Sequence, residues 1–366
     1  MILSSIQLTN FRNYNTEKFE FHDEVNVLVG KNGMGKTNVL EAIYYLCFGK
    51  SYFSSGDRYV FNKKDDFFRL EGNFRDGDSS DKVVIKYQSG AKKEIELSGI
   101  KAERISDHVG HFLCVIIAPH DIQLMLDGSE DRRNFINNTI VQTDKKYLEY
   151  LLQYTYLLKQ RNTLLKSFAE KRTFDQLLLD SVTIGMYKPA QYIFEQRKNK
   201  IESLLPIFKE LYFEISGGNE VCDINYESHL TDKSFKEILE KNVEKDRYLG
   251  RTSQGIHKDD LVFLMNGEPI KNFASQGQLK SFVLSIKLAQ YKTIETDSGK
   301  KPLILLDDIF DKLDQSRVMQ LLQLINKNRF GQVFITDSNK NRIDSVLKEI
   351  EVAYNKFSIE NGAIVI

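Results

Sequence analysis

Cysteine is scarce in this chain: Cys47, Cys114 and Cys222 are the only three in 366 residues. They show no metal-site spacing and no disulfide framework, so reduced thiols in a cytoplasmic protein are expected. No uninterrupted apolar run approaches the ~18 residues that a membrane span needs. The opening MILSSIQLTNFRNY lacks the form of a secretory signal. No membrane association is expected. An excess of either charge is missing too, with 51 Lys and Arg against 51 Asp and Glu. Any nucleic-acid contact must therefore come from a local patch rather than from the overall field. What remains is an apolar fraction of 41% and a charged fraction of 28%, those of a globular chain with ample core for one large domain or two modest ones.

The opening third alternates short strands and turns. ILSSIQL and EVNVLVG read as strands, and Gly35 to Gly49 as a helix with Val39, Leu40, Ile43, Tyr44 and Leu46 inward. FFRLEGNF, KVVIKYQ and KEIELSG alternate apolar and polar residues between turns, the pattern of an antiparallel sheet. HFLCVIIAP reads as a buried strand ending at Pro119. From about Asp127 to Gly217 the apolar period becomes helical. Heptads break and prolines intervene at 189 and 206, so a helical insertion is expected there and not a long coiled coil. Strands return at CDINYES and LVFLM. The last hundred residues read as helix, strand 302–307, helix from about 314, strand QVFIT, helix and a terminal strand pair. The expected organisation is one α/β body built from 1–126 and 218–366, with a mainly α-helical lobe, 127–217, inserted.

Three short stretches carry chemistry. GKNGMGKT, residues 30–37, fits G-x-x-x-x-G-K-[ST], with a strand entering and a helix leaving. Gly30, Lys31, Asn32, Gly33, Met34 and Gly35 form a loop whose backbone N–H groups surround a β-phosphate. Lys36 neutralises β/γ charge and Thr37 ligates Mg²⁺. The alternative, a glycine-rich turn with a chance lysine, leaves the strand and helix on either side unexplained.

KPLILLDDIFDKLD, 301–314, ends a buried strand in two adjacent carboxylates. Asp307 is the expected second Mg²⁺ partner, directly or through water, and Asp308 the group that orients or deprotonates an attacking water. A dication beside them offsets their repulsion. For Asp308 alone, an acidic start to the next helix is the plainer alternative.

FASQGQLKS places Ser275, Gln276, Gly277 and Gln278 at a helix start. Serine there is an ordinary N-cap, while Gly277 permits the close approach that would let the same helix start receive a phosphate.

Together these stretches resemble the ABC-type ATPase heads of the SMC group, and within it the RecF family most closely. The resemblance runs over nearly the whole chain. It includes LTNFRNY (8–14), VLVGKNGMGKTNVLEAIYYL (27–46), PHDIQLMLDGSEDRRNFIN (119–137), LKQRNTLLK (158–166) and GIHKDDLVF (255–263). There are departures. His120 replaces a usual acid, Ser129 a proline, and Asp311-Lys312 a small residue followed by Glu. Asp308 agrees with this family where transporter ATPases carry glutamate. At the position of their switch histidine, FITDSN offers Thr336 and Asp337.

The resemblance implies an ATP-dependent DNA clamp: a homodimer with two ATPs between its heads, each held by one P-loop and by the other copy's Ser275 turn. It implies slow hydrolysis that releases the clamp, action at single-strand gaps in recombinational repair, and RecR, RecO and RecA as partners. A transporter-coupled ATPase is disfavoured by the 119–137 stretch and the missing histidine. A chromosome-organising SMC protein is disfavoured because about 90 inserted residues cannot form its long arm. An ATP-switched scaffold with incidental hydrolysis stays open.

For DNA contact, 144–172 holds seven basic residues (Lys145, Lys146, Lys159, Arg161, Lys166, Lys171, Arg172) against three acidic ones. Lys50, Arg58, Lys63, Lys64 and Arg69 form a second candidate. A solvated helix face is the commoner meaning of such runs.

Overall fold

The computed structural model describes residues 1–54, 56–62, 65–218, 220–309, 319, 323, 330–339, 342–349 and 352–365. The helix expected from about 314, with Asp311 to Asp314, and the basic residues Lys63 and Lys64 lie outside them. By contact the chain divides into two bodies, Met1–Asp121 with Lys280–Ile366, and Ile122–Leu279.

In the first body the strands β1 (Ile2–Phe11), β2 (Tyr14–Glu20), β4 (Phe67–Asp76), β5 (Ser79–Gln88), β6 (Glu94–Leu97) and β7 (Ile100–Lys101) form an antiparallel sheet ordered β2-β1-β4-β5-β6-β7. Its strands alternate buried and solvated positions, most cleanly along β4, as a sheet with one wet face must. Between β2 and β4 come β3 (Val25–Val29) and helix α1 (Lys36–Phe48), and β8 (Cys114–Ile117) closes this segment. Every residue of α1 from Val39 to Phe48 is buried, so this is a helix enclosed on all sides rather than a surface helix. Gly35 at its start has φ 113°, and Gly49 at its end has φ 65° with its N–H on the Tyr45 carbonyl, a left-handed stop.

The second body is built from helices α2 (Ser129–Ile140), α3 (Lys145–Lys171), α4 (Gln176–Ser216), α5 (Phe235–Lys241) and α6 (Val243–Leu249). A small antiparallel sheet ordered β11-β10-β9 accompanies them, from β9 (Cys222–Glu227), β10 (Asp260–Met265) and β11 (Glu268–Pro269). Pro189 and Pro206 do not interrupt α4, which runs unbroken for 41 residues. Each proline removes a single i→i−4 bond. The apolar face that α4 presents, Leu179, Met186, Ala190, Ile193, Ile201, Leu204 and Phe208, stays buried through both.

Residues 218–279, which the sequence reading assigns to the head, thus fall with the lobe. Side chains of α2, α3 and α4 explain why. Arg197 reaches Asp259 at 2.8 Å, Arg132 reaches Asp260 at 2.7 Å and Arg161 reaches Asp246 at 2.8 Å. The Arg161 pair is 1% and 0% exposed. The guanidinium also donates to Thr252 at 2.6 Å and Thr183 at 3.2 Å, and Asp246 accepts from the Ser253 amide and hydroxyl. Arg161→Leu therefore strands a buried carboxylate and should cost about 3–5 kcal/mol of lobe stability, whereas Lys159→Ala on the exposed side should stay within about 0.5 kcal/mol. Urea denaturation of the two variants checks this, and equal midpoints would contradict it.

Helix α7 (Gln276–Ser298) contains the division between the bodies. The first body resumes with β12 (Leu303–Leu306), β13 (Val333–Asp337), helix α8 (Arg342–Glu349), β14 (Tyr354–Glu360) and β15 (Ala363–Val365). These strands complete a second sheet ordered β15-β14-β3-β13-β12-β8, parallel from β14 to β8. The strands β3, β8, β12 and β13 are buried at every position, as parallel strands covered on both faces are. Neighbours of β3 are thus β13 and β14, both from the far end of the sequence. Among the described residues no helix is long and apolar enough to cross a membrane.

Candidate functional site

The loop between β3 and α1 is shaped by its glycines and held from outside. Gly33 has φ 81°, a backbone that side chains rarely adopt. A Cβ at Gly30 would lie 2.4 Å from the Ile359 carbonyl oxygen, so only glycine lets β14 pass this close. Asn13 clasps the other side, donating to the Met34 carbonyl at 2.9 Å and accepting from Asn38 at 2.7 Å, while the Tyr14 hydroxyl donates to the Gly35 carbonyl at 3.1 Å. The Gly362 amide joins at the same Met34 carbonyl, 3.0 Å away. Lys31, Asn32 and Gly33 stay exposed. Lys36 is 3% exposed and curls back over the loop, its Nζ donating to the carbonyls of Gly30 at 2.8 Å and Lys31 at 3.1 Å. An ammonium so placed caps the space at the N-terminus of α1, a ready anion site.

Two strands across the sheet, β12 delivers Asp307. Its Oδ1 accepts from Thr37 Oγ1 at 2.8 Å and from Thr336 Oγ1 at 2.8 Å, and its amide donates to the Ile117 carbonyl. Burial pushes the Asp307 carboxyl upward from its ordinary value, opposed by the hydrogen bonds from Thr336 and Thr37. Thr37 and the strand-end Asp307 thus meet, with β13 between the strands that lead to them. Two oxygen donors so placed suit Mg²⁺, which takes its other ligands from phosphate and water. Among the described residues no group of three or more His, Cys, Asp or Glu is set to hold a metal by itself. Asp308 follows with φ 42°, left-handed, and its amide donates to Thr336 Oγ1 at 2.8 Å.

The Ser275 turn belongs to the second body. Ser275 Oγ accepts from the Gln278 amide at 3.2 Å, and Gln278 Oε1 accepts from the Ser275 amide at 2.7 Å, a reciprocal cap. Ser275 does cap its own helix. It is also exposed, as is Gln276, while Gly277 and Gln278 are half-buried. The capping Gln278 is itself held: its Nε2 donates to Glu220 at 2.7 Å, and Glu220 accepts from the Tyr212 hydroxyl of α4 at 2.7 Å.

Several of these groups escaped the sequence reading. Asn13 stands inside LTNFRNY, and no spacing rule links it to a loop twenty residues on. Glu220 and Tyr212 carried no motif at all. Arg12 forms a two-pronged pair with Glu41 of α1 at 2.6 and 2.7 Å, which a polar residue inside an otherwise apolar helix hints at. Of the basic stretch on α3, Arg161 is removed by its buried pair, while Lys145, Lys146, Lys159, Lys166, Lys171 and Arg172 remain exposed. In the second patch Arg69 pairs with Glu71 at 2.6 Å. His120, a departure from the family pattern, lies against the rings of Tyr52 and Phe53, and Ser129 accepts from Arg133 at 2.6 Å.

The model of the RecF/RecN/SMC N terminal domain family matches residues 2–361. A DNA replication and repair protein RecF from Flavobacterium johnsoniae is 41% identical over 359 residues, 98% of this chain and 100% of its own. That of Porphyromonas gingivalis is 40% identical over 367 residues, covering 100% of both. A solved structure of the recombination mediator protein RecF-ATP in the RecFOR pathway has a TM-score of 0.89 at 30% identity, across 100% of this chain and 97% of that one.

Proposed function

This chain belongs to the RecF family of DNA replication and repair proteins, within the RecF/RecN/SMC group, and from that premise we propose an ATP-driven dimeric clamp on single-strand-gapped DNA. It is an ABC-type P-loop ATPase. The observation that carries the nucleotide half is the meeting of Thr37 with Asp307 at 2.8 Å beside a Lys36 folded over its loop.

ATP phosphates lie on the amides of residues 30–37, and Lys36 exchanges the Gly30 and Lys31 carbonyls for phosphate oxygens. Thr37 and Asp307 would hold Mg²⁺, which when bound would neutralise phosphate charge. Asp308 takes the proton of the attacking water. The turn of Ser275, Gln276, Gly277 and Gln278, whose first two residues are exposed, receives the γ-phosphate of the nucleotide on a second copy, which makes dimerisation depend on that phosphate. Hydrolysis then opens the pair. Lys145, Lys146, Lys159, Lys166, Lys171 and Arg172 supply DNA phosphate contacts. RecR, RecO and RecA are the partners that the family supplies, the clamp assisting RecA loading at gaps.

ATP turnover measured with gapped, single-stranded and duplex DNA at one salt concentration tests the reading. Gapped DNA should stimulate most, and ATP should retain the protein on it. Turnover indifferent to every DNA, without ATP-dependent retention, would refute the clamp.

A further inference from the structure

Thr336 occupies the strand between the two that carry the site. In register it lies beside Leu28 of β3, while its neighbour Ile335 lies beside Leu306 of β12. It is fully buried. Its hydroxyl accepts from the Asp308 amide at 2.8 Å and gives its one proton to Asp307 Oδ1 at 2.8 Å. That oxygen is the one Thr37 also reaches. A single hydroxyl therefore ties together both carboxylate residues, one through its side chain and the other through its backbone.

The second tie matters because Asp308 sits at φ 42°. L-residues visit this left-handed region at a cost and stay there when their surroundings hold them. Turned back to an ordinary backbone, Asp308 would point its carboxylate elsewhere. Threonine is well matched to this position. Its β-branching favours a buried strand and stiffens χ1, so the hydroxyl stays aimed at the strand end.

We propose that Thr336 is a positioning residue for ATP hydrolysis, holding the Asp308 backbone so that its carboxylate is presented to the water, while Thr37 keeps its own hold on Asp307. The inference rests on the reading of Asp308 as the base, and it gives a role to a residue that the sequence offers only at the place of a switch histidine. Thr336 acts through Asp308, whose amide it accepts from.

Thr336→Val keeps the shape and removes the hydroxyl. Its kcat should fall about 10²-fold, the usual cost of a misplaced reacting group. KM and the affinity for a fluorescent ATP analogue should stay within about threefold, since the P-loop is untouched. ATP-driven dimers, followed by light scattering, should form and outlast those of the unaltered protein. Thr336→Ser should restore most of kcat. Combining Thr336→Val with Asp308→Asn should be no slower than Asp308→Asn alone, because the two remove one function.

Normal kcat in Thr336→Val, beside an active unaltered protein, overturns the inference alone. So does a loss that multiplies that of Asp308→Asn. Loss of analogue binding together with kcat, without rescue by serine, would assign Thr336 a merely structural role and overturn it too. An unaltered protein that turns over no ATP would overturn the ATPase reading first, and this inference with it.

Discussion

Asp308→Asn should bind ATP normally, hydrolyse it at least about a hundredfold more slowly, and remain dimeric on DNA long after the unaltered protein has dissociated. The substitution removes a charge and almost nothing else. Asparagine tolerates the left-handed backbone that Asp308 adopts at φ 42° as well as aspartate does. It also keeps the amide that donates to Thr336. Asp307, Thr37 and the P-loop lysine are untouched, so the phosphates and their metal retain every partner. What is lost is the carboxylate that, in the proposed mechanism, accepts a proton from water. Single-turnover hydrolysis, nucleotide binding and dimer lifetime on gapped DNA separate these effects. Ordinary turnover in the variant would remove Asp308 from the chemistry and leave it as an acidic helix start.

Ser275→Arg should abolish ATP-driven dimerisation and hydrolysis while its monomer binds ATP as before. A capping role alone gives a different result, about a kcal/mol of lost stability and no change in turnover. The structure shows that the cap exists, and it shows the serine exposed beside Gln276. Both roles are thus open to one side chain, and mixing distinguishes them. Lys36→Ala loses the ammonium that folds over the loop and should fail to bind ATP, yet its Ser275 turn is intact. A Ser275→Arg protomer keeps its P-loop. Their heterodimer holds one complete composite site, so two inactive proteins should recover part of the ATPase on mixing. Monomeric Ser275→Arg that hydrolyses ATP at the ordinary rate would end the shared-site mechanism.

Local chemistry was the legible part. Glycines at fixed offsets, a buried strand and an enclosed helix announce the P-loop, and LILL running into two aspartates announces a buried strand that brings a carboxylate to Thr37. Each is a contiguous signal whose physics acts within a dozen residues. Asn13 and Glu220 stand in no recognised spacing, and Thr336, named only at the place of a switch histidine, acts on partners nearly thirty residues away; only the assembled sheets reveal which polar groups meet. Counting charges placed Arg161 on a solvated face because charge says nothing of burial, and the buried Asp246 it pairs with stands 85 residues away. The helical period around the two prolines was legible as well, and α4 runs through both along a long buried face. The small sheet β9–β11 read as part of the head because its strands look like any others. Its allegiance is set by arginines on the lobe helices.

The order of the parallel sheet bears on how the nucleotide pocket comes into being during synthesis. Strand β3 leads into the P-loop, but both strands that flank it are made long after it, Val333–Asp337 on one side and Tyr354–Glu360 on the other. Gly362 and Ile359, which brace the loop, come later still or with them. At about 5–20 residues per second a ribosome spends roughly a quarter of a minute to a minute between β3 and β13. Through that interval the buried valines and leucine of β3 have no strand partners, and pairing across such separations is intrinsically slow. Until β13 and β14 have been made, β3 is an apolar strand without its neighbours, and the loop that follows it lacks its brace.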